Sequence, residues 1–272
     1  MREILAGNIS RYRKNLNLTQ EALAEKLGVT FQAVSKWETG QTVPDTMLLP
    51  ALAKGLNVSI DKLLGYAAYA SDISYYEEEY RKDEYLWGVE PSSACLKVLE
   101  LMPPTKEIKL LDIGCGEGKD AVFFARCGYN VAAFDISEAG LEKTKRLADK
   151  SRVHVRVFKA NIWDFRLEEN YDILFSSGVL HYIKPELRDE IMANYKSHVN
   201  SNGLAALNVF VKKPFIAPPP EKEAHSYLWK SGQLFTFFHD WYMEQCSEDV
   251  FDCNSSGIPH KHAMNSLFAR KK

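Results

Sequence analysis

LLDIGCGEGKD, residues 110–120, is a short apolar run that breaks into three glycines and then opens an amphipathic stretch. That order predicts a strand, a tight turn and a helix. Gly114, Gly116 and Gly118 let the backbone turn sharply and come close to a ligand. A glycine-rich loop alone is compatible with a dinucleotide site. Two details point elsewhere. The spacing is G-x-G-x-G, and an acid, Asp112, stands two residues before the first glycine. A pyrophosphate would be repelled by that carboxylate. The ammonium and sulfonium of S-adenosylmethionine would not.

Working outward, KLLDI (109–113), NVAAFDI (130–136), VHVRVF (153–158), YDILFSS (171–177) and GLAALNVFV (203–211) are short apolar, β-branched runs. Helical patterns fall at 119–127, 138–149 and 185–198. Alternating strand and helix predicts a parallel α/β sheet. In such sheets ligands sit at the carboxyl ends of the strands. There the sequence places Asp135, positioned for ribose hydroxyls, and Asn161 and Ile162, positioned for the edge and face of an adenine. The final run, GIPHKHAMNSLFARKK, could be a last strand, with His260 and His262 two residues apart and so on one face.

This constellation resembles the class I S-adenosylmethionine-dependent methyltransferases over roughly residues 85–272. The resemblance implies a doubly wound, seven-stranded, Rossmann-like sheet whose last strand is antiparallel and inserted near the edge. It implies a cofactor lined by Asp112, Gly114, Cys115, Gly116, Gly118, Asp135, Ile136, Asn161 and Ile162. SSGVLHYI (176–183) would face the methionine side through Ser177, Gly178 and His181. Enzymes that methylate exocyclic amines of nucleic acids show D/N-P-P-Y/F/W there, and cytosine C5 enzymes need a Pro-Cys pair. Neither occurs in this chain. APPPEKEAHSY (217–227) reads as a rigid lid loop.

The tail, residues 231–272, resembles the tellurite-resistance and thiopurine branch of small-molecule methyltransferases, through Gly232-x-Leu234, Trp241, Glu248 and the Ala269-Arg270-Lys271 ending. That branch favours soft nucleophiles: tellurite, selenite or thiols. Where its tellurite enzymes carry arginines in the final loop, this chain offers histidines. His181, His260 and His262 are the candidate catalytic residues, as a cation or base beside the acceptor. The alternative for each is an ordinary polar residue: a helix cap for His181, a sheet edge for the pair.

Residues 1–66 read differently, as short helices without a strand pattern. Thr19 and Thr30 are placed as N-caps, Gly28 as a reversal, and Gly40 just past a helix end. LTQEALAEKLGVTFQAVSKWETGQTVPD (18–45) resembles the Cro/repressor-type helix-turn-helix family. In that motif the second helix enters the major groove and its early residues reach base edges. The resemblance then assigns DNA contacts to Thr30, Phe31, Gln32, Ser35 and Lys36. Gln20 would donate to a phosphate, and Ala24, Val34 and Trp37 would pack. A homodimer on paired half-sites is expected. Residues 67–84, rich in tyrosine and acid, read as a helical joint packed on the second domain.

Composition limits the rest. Five cysteines without a CxxC pair argue against a disulfide framework or a structural zinc site and for a cytoplasmic setting. No apolar run approaches a membrane span, and the charged N-terminus is not a signal peptide. Residues 1–66 hold eight Lys/Arg against six Asp/Glu, leaving 26 against 30 of the chain's 34 and 36 for residues 67–272. The N-terminal piece thus tolerates a polyanion better. The sequence therefore predicts a small-molecule methyltransferase carrying a DNA-binding domain, able to regulate its own gene or a resistance operon. The competing reading is a regulator that only senses S-adenosylmethionine or a toxic ligand. A nucleic-acid methyltransferase ranks third.

Overall fold

The computed structural model describes residues 2–65, 70–105, 107–217, 227–254 and 258–272. The proposed lid loop falls largely on 218–226 and lies outside the described residues. The chain divides into two units, Met1–Ser71 and Asp72–Lys272.

In the first unit, α1 (Arg2–Asn15), α2 (Gln20–Leu27), α3 (Phe31–Glu38), α4 (Leu49–Gly55) and α5 (Ile60–Leu64) surround a small apolar core. Ile9, Leu23, Val34, Leu52 and Leu63 are fully buried in it. The caps set the helix limits. Thr19 accepts from Ala22 N at 3.1 Å and Thr30 from Ala33 N at 3.2 Å. Gly28 ends α2 at φ +66°, the left-handed turn that directs α3 back across it.

The second unit takes in α6 (Ala70–Tyr80), apart from its first two residues, and α7 (Ser93–Leu101), and then winds a sheet. Its strands are β1 (Lys109–Ile113), β2 (Asn130–Asp135), β3 (Val155–Lys159), β4 (Tyr171–Ser176), β5 (Val199–Val211), β6 (Tyr242–Cys253) and β7 (His260–Arg270). They lie in the order β3-β2-β1-β4-β5-β7-β6. All pairs are parallel except those of β7, which is antiparallel to both neighbours. The expected seven-stranded doubly wound sheet, with its inserted last strand, is present. The strand order reverses between β1 and β4, which makes their carboxyl ends the natural ligand crevice.

Four further helices connect the strands: α8 (Lys119–Cys127), α9 (Glu138–Ser151), α10 (Arg188–Ser197) and α11 (Gln233–Phe237). Phe124 of α8 meets Phe175 of β4 edge-on at 4.9 Å, within the core that roots the glycine loop. Two sequence limits shift. β3 starts at 155 because Val153 N still closes the end of α9 on Ala148 O at 3.1 Å. β5 starts at 199, where Val199 pairs with Tyr171.

Two of the tail residues singled out by resemblance, Gly232 and Glu248, meet through one buried amide. Asn265 of β7 accepts from Gly232 N at 2.7 Å and donates to Glu248 at 2.9 Å. Hydrogen bonds from Lys213, Ser231 and Asn265 pull the Glu248 carboxyl down to about 2. Among the described residues, no helix is long and apolar enough to cross a membrane.

Candidate active site and reading helix

The loop after β1 is built by its neighbours. Gly114 N and Cys115 N both donate to Phe134 O, at 2.9 and 3.0 Å, which fastens the turn to the end of β2. Gly114 has φ +71°, and a Cβ there would stand 2.6 Å from Val179, so only glycine lets the β1 and β4 loops close together. Gly118 is glycine for another reason. A Cβ on it would meet Thr144 of α9 at 2.5 Å, so the packing of α9 against the loop also requires glycine there. The Cys115 thiol turns toward Thr144 Oγ1 at 4.0 Å, and its carbonyl accepts from Gly118 N at 2.9 Å.

The two acids differ. Asp112 is 2% exposed, and its Oδ2 has no hydrogen-bond partner among the described residues. Burial, reinforced by the nearby Asp120 charge, pushes its pKa well above the usual carboxylate range. Asp135 is occupied on both oxygens. Oδ1 accepts from Ser137 N and Oδ2 from Gly116 N, each at 2.9 Å. Burial raises its pKa while these backbone donors oppose the rise. Asp135 therefore first clamps the glycine loop, and ribose hydroxyls would have to share its remaining lone pairs.

Asn161 Oδ1 accepts from Trp163 N at 2.9 Å, which shapes the turn after β3. Ile162 is buried and Ile136 half-buried. Gly178 N donates to Asn208 Oδ1 at 2.7 Å, and Asn208 also reaches Ser177 Oγ at 3.5 Å.

Sequence reasoning missed the aromatic cover of this loop. α6 carries Tyr76 and Tyr80 one turn apart, and a Cβ on Gly116 would lie 3.0 Å from the Tyr80 hydroxyl. Trp87 Nε1 donates to that hydroxyl at 3.0 Å. Tyr76 and Tyr182 hydroxyls meet at 2.9 Å. Glu77 accepts from Ser137 Oγ at 2.7 Å. The i, i+4 tyrosine spacing in YYEEEY was the available signal, since it puts both rings on one helix face.

The histidines line up at the same end of the sheet. His181 is buried, with its ring stacked on Phe210 at 4.4 Å. Phe210 stacks on His262 at 4.5 Å with the planes 3° apart. His262 Nε2 lies 2.8 Å from His260 Nε2. Burial, with the His262 charge, lowers the His181 pKa to about 3. A neutral, enclosed imidazole does not supply a cation, the first of the two roles foreseen for His181, and leaves the second, that of a base. The helix-cap alternative also fails to describe it, because its ring is a layer in an aromatic stack.

In the first unit, Thr30, Phe31, Gln32 and Lys36 are exposed along the start of α3 and Ser35 is half-buried, while Ala24, Val34 and Trp37 are buried behind them. Glu38, at the end of α3, receives Arg13 Nε at 2.6 Å and Nη2 at 2.9 Å. Gln20 Nε2 donates to the same carboxylate at 2.8 Å. The Gln20 amide, foreseen as a phosphate donor, thus spends at least one hydrogen inside the unit. An exposed polar row on a rigidly backed helix can present donors and acceptors to a groove.

Residues 73–258 match the family described as tellurite resistance protein TehB, and residues 9–63 match the helix-turn-helix family. The chain is 26% identical over 169 residues to the probable S-adenosyl-L-methionine-dependent methyltransferase TehB of Haemophilus influenzae, covering 60% of this chain and 57% of that protein. It is 28% identical over 177 residues to hemagglutinin 1 of Eikenella corrodens, covering 64% of this chain and 58% of that one. It thus spans less than two thirds of the length of these curated relatives. The crystal structure of TehB from Haemophilus influenzae shares the fold, with a TM-score of 0.60 at 20% identity over 74% of this chain and 67% of that one.

Proposed function

The chain belongs to the tellurite resistance protein TehB family, and on that premise we propose that it is an S-adenosylmethionine-dependent methyltransferase acting on a small, soft nucleophile such as tellurite, selenite or a thiol. The observation that carries the proposal is the buried, unpartnered Asp112 oxygen beside the glycine loop. A buried carboxylate without a partner is costly. A cationic ligand group at that oxygen removes the cost, so the residues present fit this cofactor.

Bound S-adenosylmethionine would supply a methyl group on an electrophilic sulfonium. Asp112 would accept from its ammonium group. Asp135 and Asn161 would hold the ribose and adenine edges, Ile136 and Ile162 would pack on the ring face, and Ser177 and Gly178 would border the methionine end. Tyr80, over Gly116, excludes water from the loop. His260 and His262 stand at the acceptor side, where the acceptor is aligned and stripped of water before attack. The SSGVLHYI segment in place of a D/N-P-P-Y motif supports a small acceptor over DNA.

The exposed row on α3 supports sequence-specific DNA binding, as a homodimer on paired half-sites, regulating the chain's own gene or a resistance operon. Incubation with labelled cofactor against tellurite, selenite, thiols and duplex DNA tests the whole reading. Labelled product is expected from a small acceptor and none from DNA. Product from DNA alone, or cofactor binding with no product from any acceptor, overturns it; the latter result favours the sensing regulator.

A further inference from the structure

At the β6–β7 hairpin, Cys253 sits directly opposite His260, and His262 follows two residues along on the same face. The thiol and one ring nitrogen of each histidine lie within 4.8 Å of one another. Asp252 and Lys261, the neighbouring cross-strand pair, form their ion pair at 2.7 Å on the opposite face, as strand alternation requires. We propose that Cys253, His260 and His262 form a binding site for a borderline-soft divalent cation of the zinc class.

The donors decide the class. Two imidazoles and a thiol suit Zn(II) and its neighbours, whereas Mg(II) and Ca(II) take oxygen ligands. Their number also matters. Three protein ligands with a fourth position left to water or a small ligand is the open arrangement of zinc sites that do chemistry.

The surroundings hold the rings as ligands are held. His260 Nδ1 lies 2.7 Å from Ile258 O. A carbonyl only accepts, so Nδ1 carries the proton and Nε2 is left with its lone pair directed at His262. A backbone carbonyl on the far nitrogen is the usual outer partner of a metal-bound histidine. Phe210 fixes the plane of His262 from one side. The 2.8 Å between the two Nε2 atoms is the distance of one shared proton. A tetrahedral ion with metal–nitrogen bonds of about 2.0–2.1 Å needs roughly 3.3 Å between them. A small opening of the His260 ring and a turn of the Cys253 side chain provide this. On binding, the thiol proton passes to solvent, and the proton between the two Nε2 atoms is released while His262 takes one up on Nδ1, so that both Nε2 lone pairs face the ion.

Both histidines also border the acceptor side in the function proposed above, so the site is tested without cofactor or acceptor and either reading can fail alone. Chelator-treated, reduced protein is titrated with Co(II). Strong visible bands of four-coordinate cobalt and a near-ultraviolet thiolate-to-cobalt band are expected at one ion per chain, and Zn(II) should displace both. Cys253→Ser should lose the thiolate band, and His260→Gln should lose the four-coordinate visible bands. On the unsubstituted protein, Zn(II) should protect Cys253 from alkylation and leave the exposed Cys246 reactive; this readout requires no variant to fold. Weak six-coordinate cobalt bands, a thiolate band that persists in Cys253→Ser, or equal alkylation of both cysteines with and without Zn(II) would overturn the proposal.

Discussion

The two units place their working residues in opposite ways. On α3 the row proposed to read DNA is exposed, and the fold is secured from behind by Val34, Trp37 and the Arg13–Glu38 pair, whose side chains are 10% and 5% exposed. In the sheet unit the decisive carboxylate is inside, with an unmet oxygen. A reading surface of the first kind can change without touching the fold. A cradle of the second kind leaves the Asp112 oxygen unsatisfied in the empty protein, so that one residue opposes stability there.

The largest effect should come from the pair behind the reading helix. Glu38→Ala strands the Arg13 guanidinium in a buried position, at a cost of about 3–5 kcal/mol. A unit of that size has a total reserve of roughly 4–10 kcal/mol. Calorimetry should lose or strongly lower the transition of the first unit and leave that of the sheet in place. The same pair sets a pH limit. Burial pushes the Glu38 carboxyl up, but hydrogen bonds from Arg13 and Gln20 and the Arg13 charge outweigh it, so its pKa is depressed. The stabilisation is therefore complete above the unfolded value of about 4.3. It is lost as pH falls through the lower folded value. Acid unfolding of the first unit that is unchanged in Glu38→Ala would contradict this.

Asp135→Ala comes next, because it touches both fold and ligand. Freeing Gly116 N and Ser137 N should cost about 1–2 kcal/mol of stability, and cofactor affinity should fall by about 1.5–3 kcal/mol. Thermal scans and titration calorimetry on one preparation read both. Asp112→Asn should separate them. Affinity falls by about 1.5–3 kcal/mol, while the empty protein melts no lower, because a buried charge has been removed. A lower melting temperature would make Asp112 a structural residue and remove the contrast between the units. The smallest effect belongs to the exposed row: Gln32→Ala should cost about 1–2 kcal/mol in DNA affinity at fixed salt, relax one base position, and leave melting unchanged.

What the sequence disclosed was local. The glycine turn, the strand runs, the caps at Thr19 and Thr30 and the αL glycine at Gly28 depend on residues a few positions apart, and the structure has them where the pattern put them, apart from the starts of β3 and β5. What it concealed was tertiary. Nothing near Gly118 signals Thr144, and nothing near Gly116 signals Tyr80, 36 residues earlier. Gln20 looks outward in sequence and is engaged by Glu38 in space. His181 becomes a neutral layer only because Phe210 and Tyr182 close on it. Asp135 could be assigned a partner by its place at a strand end, but not the two backbone donors that reach it first.

The insertion of β7 between β5 and β6 also orders events in time. During synthesis, β6 emerges before β7, yet β7 is the strand it pairs with in the finished sheet. Until then the open side of β5 and both sides of β6 are bare edges. Glu244, Glu248, Asp249 and Asp252 on β6 then act as like charges that discourage pairing between neighbouring nascent chains. At roughly 5–20 residues per second, the helical unit would have been complete for about 10–40 s before that edge closes. A half-made chain would therefore carry a finished helical unit while its own sheet is still open.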